Sequence, residues 1–400
     1  MTVICNCYNN KCMNRKGLNK DICPVAKYCG GCQLQGFSYD RQLEIKQKKV
    51  EELLKGFHKV EKIIGMNDPY HYRNKIQVSF GYDDRHNIIC GNYVQGTHQI
   101  VEIEKCMICD EKANQIIVTI KDLIVKYHIS IFDERAMKGC IRHVMVRCSA
   151  AGEYMVILVT GSPSIRNGEQ LVKDLLKRHP EIKTVVQNIN SRHTSMILGT
   201  KNVTLYGKGY ITDELCGLKF RISPSSFYQV NKRQTEILYT EAIKVARLKG
   251  NEVLIDAYCG TGTIGLYASK SVKKVFGVEL NRSAVKDAVI NRKLNRIENA
   301  EFICEDAGKY MEYLAKQKTH VDVVIMDPPR TGSDKKFMSS VFALKPEKVV
   351  YVSCNPLTLK DDLNYLTRNY EIRKIQPVDM FPFTEHIETI VLLERKIPKE

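Results

Sequence analysis

The sequence predicts an α/β protein whose C-terminal half is a doubly wound, mostly parallel sheet. Three observations carry this. From residue 253 onward, short apolar runs (253–257, 275–279, 301–303, 321–326, 348–353, 371–378 and 387–394) alternate with helical patterns, the layout of βα units in an open parallel sheet. The stretch 253-VLIDAYCGTGTIGLYA-268 reads as strand, glycine turn and helix. Its glycines let the backbone approach a ligand closely, and a helix N-terminus offers free N–H groups. Nineteen residues past Gly260, Glu279 ends the next strand, where a carboxylate suits a ribose diol.

Size and composition set the outer bounds. The chain has 400 residues, enough for two or three domains with their own cores. No apolar run approaches the ~18 residues of a membrane span, and the N-terminus lacks a signal-peptide layout, so a cytoplasmic location is expected. The formal charge of +16 suits a polyanionic partner such as nucleic acid as well as it suits a plain solvated surface. There are 15 cysteines. Six of them, Cys5, Cys7, Cys12, Cys23, Cys29 and Cys32, fall within the first 32 residues. Clustered thiols in a reducing compartment point to metal rather than disulfides.

Taken in order, residues 1–34 form a cysteine-rich segment and 35–221 a central mixed α/β domain. The C-x5-C-x2-C spacing of Cys23, Cys29 and Cys32 can face one zinc or one iron–sulfur cluster, and spacing alone does not decide between them. Cys106 is the candidate fourth ligand, with Cys109 and the earlier cysteines as competitors. Residues 38–57 read as an amphipathic helix that Ser38 can cap; Leu43, Val50, Leu53, Leu54 and Phe57 share one stripe, and lysines crowd the other face. Residues 72–82 and 88–95 read as a hairpin. Arg73, Lys75 and Gln77 alternate along it on one face, which as an exposed sheet would suit RNA. Helices are expected at 111–127 and 168–178, and strands at 141–149, 154–160, 183–189, 194–199 and 203–206.

The domain boundary falls at residue 222, where 222-ISPSSFYQVNKRQTEILY-239 leads into a helix over 231–247 and then the first C-terminal strand. Ligands in such sheets sit at the carboxyl ends of the strands, and three motifs lie at strand ends. Asp327 closes one strand in 325-IMDPPR-330, Cys354 closes another in 350-VYVSCNP-356, and Glu388 opens the last in 385-EHIETIVLLER-395. A lone cysteine there is commonly a small core residue. With Asp327 and a cofactor loop in the same sheet, the functional meaning prevails.

These motifs together — C-x5-C-x2-C, S-F-Y-Q-V-N, D-A-Y-C-G-T-G-T, D-P-P-R, S-C-N-P and H-I-E-T — resemble the RNA 5-methyluridine methyltransferase family. The resemblance covers nearly the whole chain from Cys23 on, and its cysteine set is similar to that of the iron–sulfur branch, which acts on 23S ribosomal RNA. It implies a class I S-adenosylmethionine-dependent methyltransferase fold. It also implies a [4Fe-4S] cluster on Cys23, Cys29, Cys32 and Cys106, and an S-adenosylmethionine site at Gln229, Tyr258, Glu279 and Asp327. Thr263 and Asp306 occupy positions where the family often has asparagine contacts. Cys354 is implied as the nucleophile, Glu388 as the base, and Phe227 as a neighbour of the substrate base. The expected substrate is RNA, ribosomal first and transfer RNA second, with no membrane and no obligate protein partner. Many relatives carry a small RNA-binding barrel before the cysteines; the 22 residues ahead of Cys23 are too few for one. The chemistry fits the residue types. Uracil C5 is a poor nucleophile until a thiolate adds at C6, and a base must remove the C5 proton before the thiolate can leave.

Overall fold

The computed structural model describes residues 22–94 and 96–397; Cys5, Cys7 and Cys12 lie outside the described residues. The chain opens with α1 (Tyr39–Leu53) and then builds a seven-stranded sheet. Its strands are β1 (Lys75–Tyr82), β2 (Ile88–Tyr93), β3 (Ile100–Glu102), β4 (Ile141–Cys148), β5 (Tyr154–Thr160), β6 (Ile182–Ile189) and β7 (Lys201–Gly207), in spatial order β3-β2-β1-β4-β5-β6-β7. All pairs are antiparallel except β5–β6. Helices α2 (Glu111–Lys126) and α3 (Gly168–Arg178) cover one face. Ile116, Ile120 and Leu123 meet Val144, Val146 and Leu158 there in one buried cluster. Met145, Met155 and Ile157 face the other way, into a core shared with the C-terminal half. That is why every residue of β4 and β5 is buried.

Three local expectations are corrected. Residues 194–199 are not a strand. Asn188 and Asn190, projecting from and just past β6, bond the backbone of Met196, Ile197 and Gly199, so side chains satisfy groups that a ladder would otherwise pair. Second, β8 (Ile211–Leu215) and β9 (Leu218–Ile222) form a hairpin absent from the sequence reading. Its two-residue turn, Cys216–Gly217, has positive φ at both positions (52° and 70°), as a hairpin turn requires. Third, Ser38 makes no side-chain cap bond to α1, and the helix ends at Leu53. Lys46, on the lysine-rich face of that helix, is buried. Its Nζ lies 2.6 Å from an Asp379 carboxylate oxygen, an ion pair that docks α1 against the C-terminal half.

Helix α4 (Lys232–Ala246), capped by Asn231, leads into the second sheet. Its strands are β10 (Val253–Ala257), β11 (Lys274–Glu279), β12 (Ala300–Cys304), β13 (Val323–Met326), β14 (Lys348–Ser353), β15 (Tyr370–Val378) and β16 (Glu388–Arg395), in order β12-β11-β10-β13-β14-β16-β15. Five strands are parallel, and β16 runs antiparallel between β14 and β15. The intervening helices are α5 (Thr263–Ala268), α6 (Arg282–Leu294), α7 (Ala307–Lys316), α8 (Lys335–Leu344) and α9 (Pro356–Leu366). Strand order reverses between β10 and β13, the position where such sheets open a ligand crevice. Among the described residues no helix is long and apolar enough to cross a membrane.

Candidate functional site

The crevice is lined from both of its walls. The β10–α5 loop and the 227–229 segment enclose a pocket with Phe227, Gln229, Tyr258, Thr263 and Asp327 on its surface. Tyr258 takes a left-handed φ of 63°, uncommon for a bulky residue and typical of functional turns. Its hydroxyl pairs with Ser333 at 3.1 Å. Thr263 is held by the Tyr239 hydroxyl at 2.9 Å. Helix α5 is only six residues long, so the loop, more than a helix terminus, shapes this pocket. Glu279 stands beside it. One carboxylate oxygen accepts from Gly260 N at 3.1 Å and the other from Asn281 N at 2.7 Å, which fixes the side chain while leaving lone pairs free. Asp306 does not line the pocket. It caps α7 by accepting from Lys309 N at 2.9 Å. Phe227 is exposed at the mouth.

Cys354, Glu388 and Asp327 converge because of the sheet. Cys354 follows β14 directly, and the antiparallel pairing sets Ser353 opposite Thr389. The parallel β13 brings Asp327 alongside. Glu388 is buried, and burial, then the neighbouring Asp327 carboxylate, push it well above the usual glutamate range. Burial likewise raises Asp327 from 3.8 to about 7. Cys354 is half-buried; desolvation first, then the charges of Glu388 and Asp327, push its thiol up to about 11, against a lowering influence from Arg330. Burial and mutual repulsion thus favour the protonated forms in this cluster, and a positive charge placed beside it would favour the carboxylates.

A second cavity, of about 300 Å³, lies between the 23–32 segment and the first sheet. Cys23, Cys29, Cys32, Cys106 and Cys109 all line it. A hydrogen bond from the Cys109 thiol holds Cys106 down to about 6, and burial with the charges of Cys106 and Cys29 pushes Cys32 up to about 12. The Asn92 amide points at Cys29 Sγ, 3.4 Å away. Among the described residues no group of three or more His, Cys, Asp or Glu side chains is arranged to hold a metal ion. Arg73, Lys75 and Gln77 do share a face, but that face is a wall of this cavity rather than an open RNA-binding surface. The reason is that the cysteine segment folds over β1, joined to the sheet by a bridge between Cys29 and Val94. Sequence reasoning gave Arg330 no role beyond its place in the D-P-P-R motif and held Cys109 only as a competitor for the fourth ligand position. Each lies three residues from a residue it did single out, and only packing reveals their proximity to the thiols.

A family model described as tRNA (uracil-5-)-methyltransferase matches residues 38–396. The chain is 42% identical over 381 residues to an uncharacterized RNA methyltransferase of Halalkalibacterium halodurans, covering 94% of this chain and 83% of that one. It is 43% identical over 383 residues to another from Clostridium acetobutylicum, with the same coverage of each chain. Among solved structures, it is similar to the Pyrococcus abyssi tRNA (uracil-54, C5)-methyltransferase in complex with S-adenosyl-L-homocysteine. That match has a TM-score of 0.76 and 27% identity, covering 92% of this chain and 86% of that chain. With a match running almost from end to end, the chain belongs to the tRNA (uracil-5-)-methyltransferase family.

Proposed function

We propose that this protein transfers the methyl group of S-adenosylmethionine to C5 of a uridine in RNA. The observation that carries the proposal is the convergence of Cys354, Glu388 and Asp327 at the strand ends beside a pocket lined by Gln229, Tyr258 and Thr263. The methyl donor lies in that pocket, with Glu279 accepting from its ribose hydroxyls and Asp327 facing its positive end. The Cys354 thiolate adds to C6 of the uracil, forming the S–C6 bond and shifting an electron pair to the ring oxygen as an enolate. C5 then attacks the methyl carbon, whose bond to sulfur breaks and leaves S-adenosylhomocysteine. Glu388, as carboxylate, takes the C5 proton; the C5–C6 double bond re-forms and the thiolate departs. Splitting the substitution in this way replaces one hard step by two easier ones. The uridine must be unstacked to reach the site, and exposed Phe227 at the mouth offers a face on which a base can stack.

Ribosomal RNA is the substrate we favour, on the cysteine set similar to that of the iron–sulfur branch. The likeness to an archaeal tRNA enzyme supports transfer RNA as the second reading. Mapping 5-methyluridine in both RNAs from a strain lacking the protein separates the two. Loss from neither refutes the proposed function.

The cysteine cavity belongs, in this reading, to a [4Fe-4S] cluster held by Cys23, Cys29, Cys32 and Cys106. Four thiols lining one cavity support it. The choice of a cluster over a single zinc rests on the resemblance of this cysteine set to that of the iron–sulfur branch. Cys109 donates its thiol proton toward Cys106, and Arg73 supplies positive charge beside Cys32 and Cys106. The cluster would tie the N-terminal segment to the first sheet, and no step of the methyl transfer passes through it. Anaerobically purified protein should be brown, with about four irons per chain. A colourless protein holding one zinc would overturn this part.

A further inference from the structure

The segment that leads to the base is also gripped from outside the catalytic half. Residues 379–387 run from the end of β15 to Glu388, and much of their anchoring comes from residues before position 73. Lys46 Nζ pairs with Asp379 at 2.6 Å and donates to Phe381 O at 3.0 Å. The Tyr39 hydroxyl donates to the other Asp379 oxygen at 2.9 Å. Phe383 N donates to Gln42 Oε1 at 2.7 Å, while Leu34 N donates to Phe383 O at 2.9 Å. The Tyr72 hydroxyl donates to Pro382 O at 3.0 Å. Phe383 itself has a φ of 67°, a conformation that a bulky side chain keeps only when its surroundings enforce it. Its ring is packed against Tyr70 with centroids 5.1 Å apart.

We propose that Gln42, Lys46 and Tyr72, with the backbone of Leu34, are positioning residues for Glu388. They form a clamp, built by the N-terminal part of the chain, on the segment that delivers the base. The proposal rests on the role given to Glu388 above. None of these residues lines the pocket beside the glycine loop. Loosening the clamp therefore leaves cofactor binding and thiol addition in place and slows proton removal from C5, the one step that needs the carboxylate at a fixed distance.

The test uses the full chain carrying Gln42→Met, which keeps side-chain length and removes the acceptor for Phe383 N. A second variant, Tyr72→Phe, removes one hydroxyl and covers the case in which the first fails to fold. Hydrogen–deuterium exchange, steady-state kinetics and denaturing gels are read together. The expected result has four parts: faster exchange confined to 379–388, kcat lower by tenfold or more in Gln42→Met, a KM for RNA within twofold, and accumulation of enzyme joined covalently to methylated RNA. Unchanged exchange at 379–388 in the variants, or loss of kcat without adduct while Glu388→Gln does accumulate it, would overturn the clamp. If exchange and kcat respond but Glu388→Gln itself shows no stalled adduct, the role of Glu388 falls and the clamp stands as a support of the loop.

Discussion

Binding of the methyl donor should expel a proton, and Asp327 should be its source. Burial raises Asp327 from 3.8 to about 7 in the free protein, so at pH 5 nearly every molecule carries it neutral. A sulfonium cation placed against this side chain favours the carboxylate and returns its pKa toward the ordinary range. The sign follows by linkage: the ligand binds the deprotonated form, so affinity rises with pH and levels off above the free-state value. For a free pKa of about 7 and a bound one at or below the ordinary value of about 3.9, affinity should rise roughly ninetyfold between pH 5 and pH 8, or ~2.7 kcal/mol at 1.36 kcal/mol per pK unit. Calorimetric titration at pH 5, 6, 7 and 8, in buffers of differing ionisation enthalpy, measures the affinity and counts the protons released. S-adenosylhomocysteine, which lacks the sulfonium charge, should show a much shallower slope. Asp256 is the internal competitor, since burial also raises it to about 7. It sits beneath the loop with its Oδ2 accepting from Gly265 N at 2.7 Å. Asp327→Asn should therefore flatten the profile. A flat profile in the wild type, or an unchanged slope in Asp327→Asn, refutes the reasoning.

Other outcomes follow from the same geometry. Cys354→Ala should form no covalent complex with 5-fluorouridine RNA, whereas Glu388→Gln should add, methylate and then stall as a slow band on a denaturing gel that vanishes in the double variant; a normally active Glu388→Gln would move the search for the base to Asp327. Because the Cys354 thiol is pushed up to about 11, its reactive thiolate is scarce at neutral pH, and the rate of adduct formation should climb about tenfold per pH unit from 7 to 10; a plateau below pH 9 would contradict this. Glu279→Ala should weaken cofactor binding by at least ~1 kcal/mol, since it removes charge-assisted acceptors and also frees Gly260 N; unchanged calorimetric affinity would show that Glu279 does not meet the donor. Lys46→Met leaves Asp379 buried and unpaired, and should lower stability by about 3–5 kcal/mol. Lys46→Met with Asp379→Asn should recover part of that loss in urea melts, and no difference between single and double variants would show that the pair is not an energetic unit.

Local pattern determined a great deal of this protein. Apolar runs of strand length, alternating with helical patterns from residue 253, are enough to specify a parallel sheet, because βα repeats have few other ways to bury both faces. The same pattern assigns Asp327, Cys354 and Glu388 to strand ends, since an apolar run stops where a polar side chain must meet solvent or ligand. The β8–β9 hairpin was also legible in the alternation of Ile211, Asp213 and Leu215 with Leu218, Phe220 and Ile222 around Cys216–Gly217, although the sequence reading passed over it. Other features were not legible. Lys46 lies on a helix face that reads as solvated, and it is buried because Asp379, more than 300 residues later, arrives with a compensating charge. Arg73 and Lys75 show period-two alternation, which fixes that they share a face but not which face of the sheet another segment covers. The antiparallel insertion of β16 beside β14, which turns two separate strand-end residues into neighbours, depends on long-range pairing that no local window contains. Sequence periodicity therefore determined the elements and the side chains at their ends. Only tertiary structure decided which charges meet, because that depends on contacts between residues far apart along the chain.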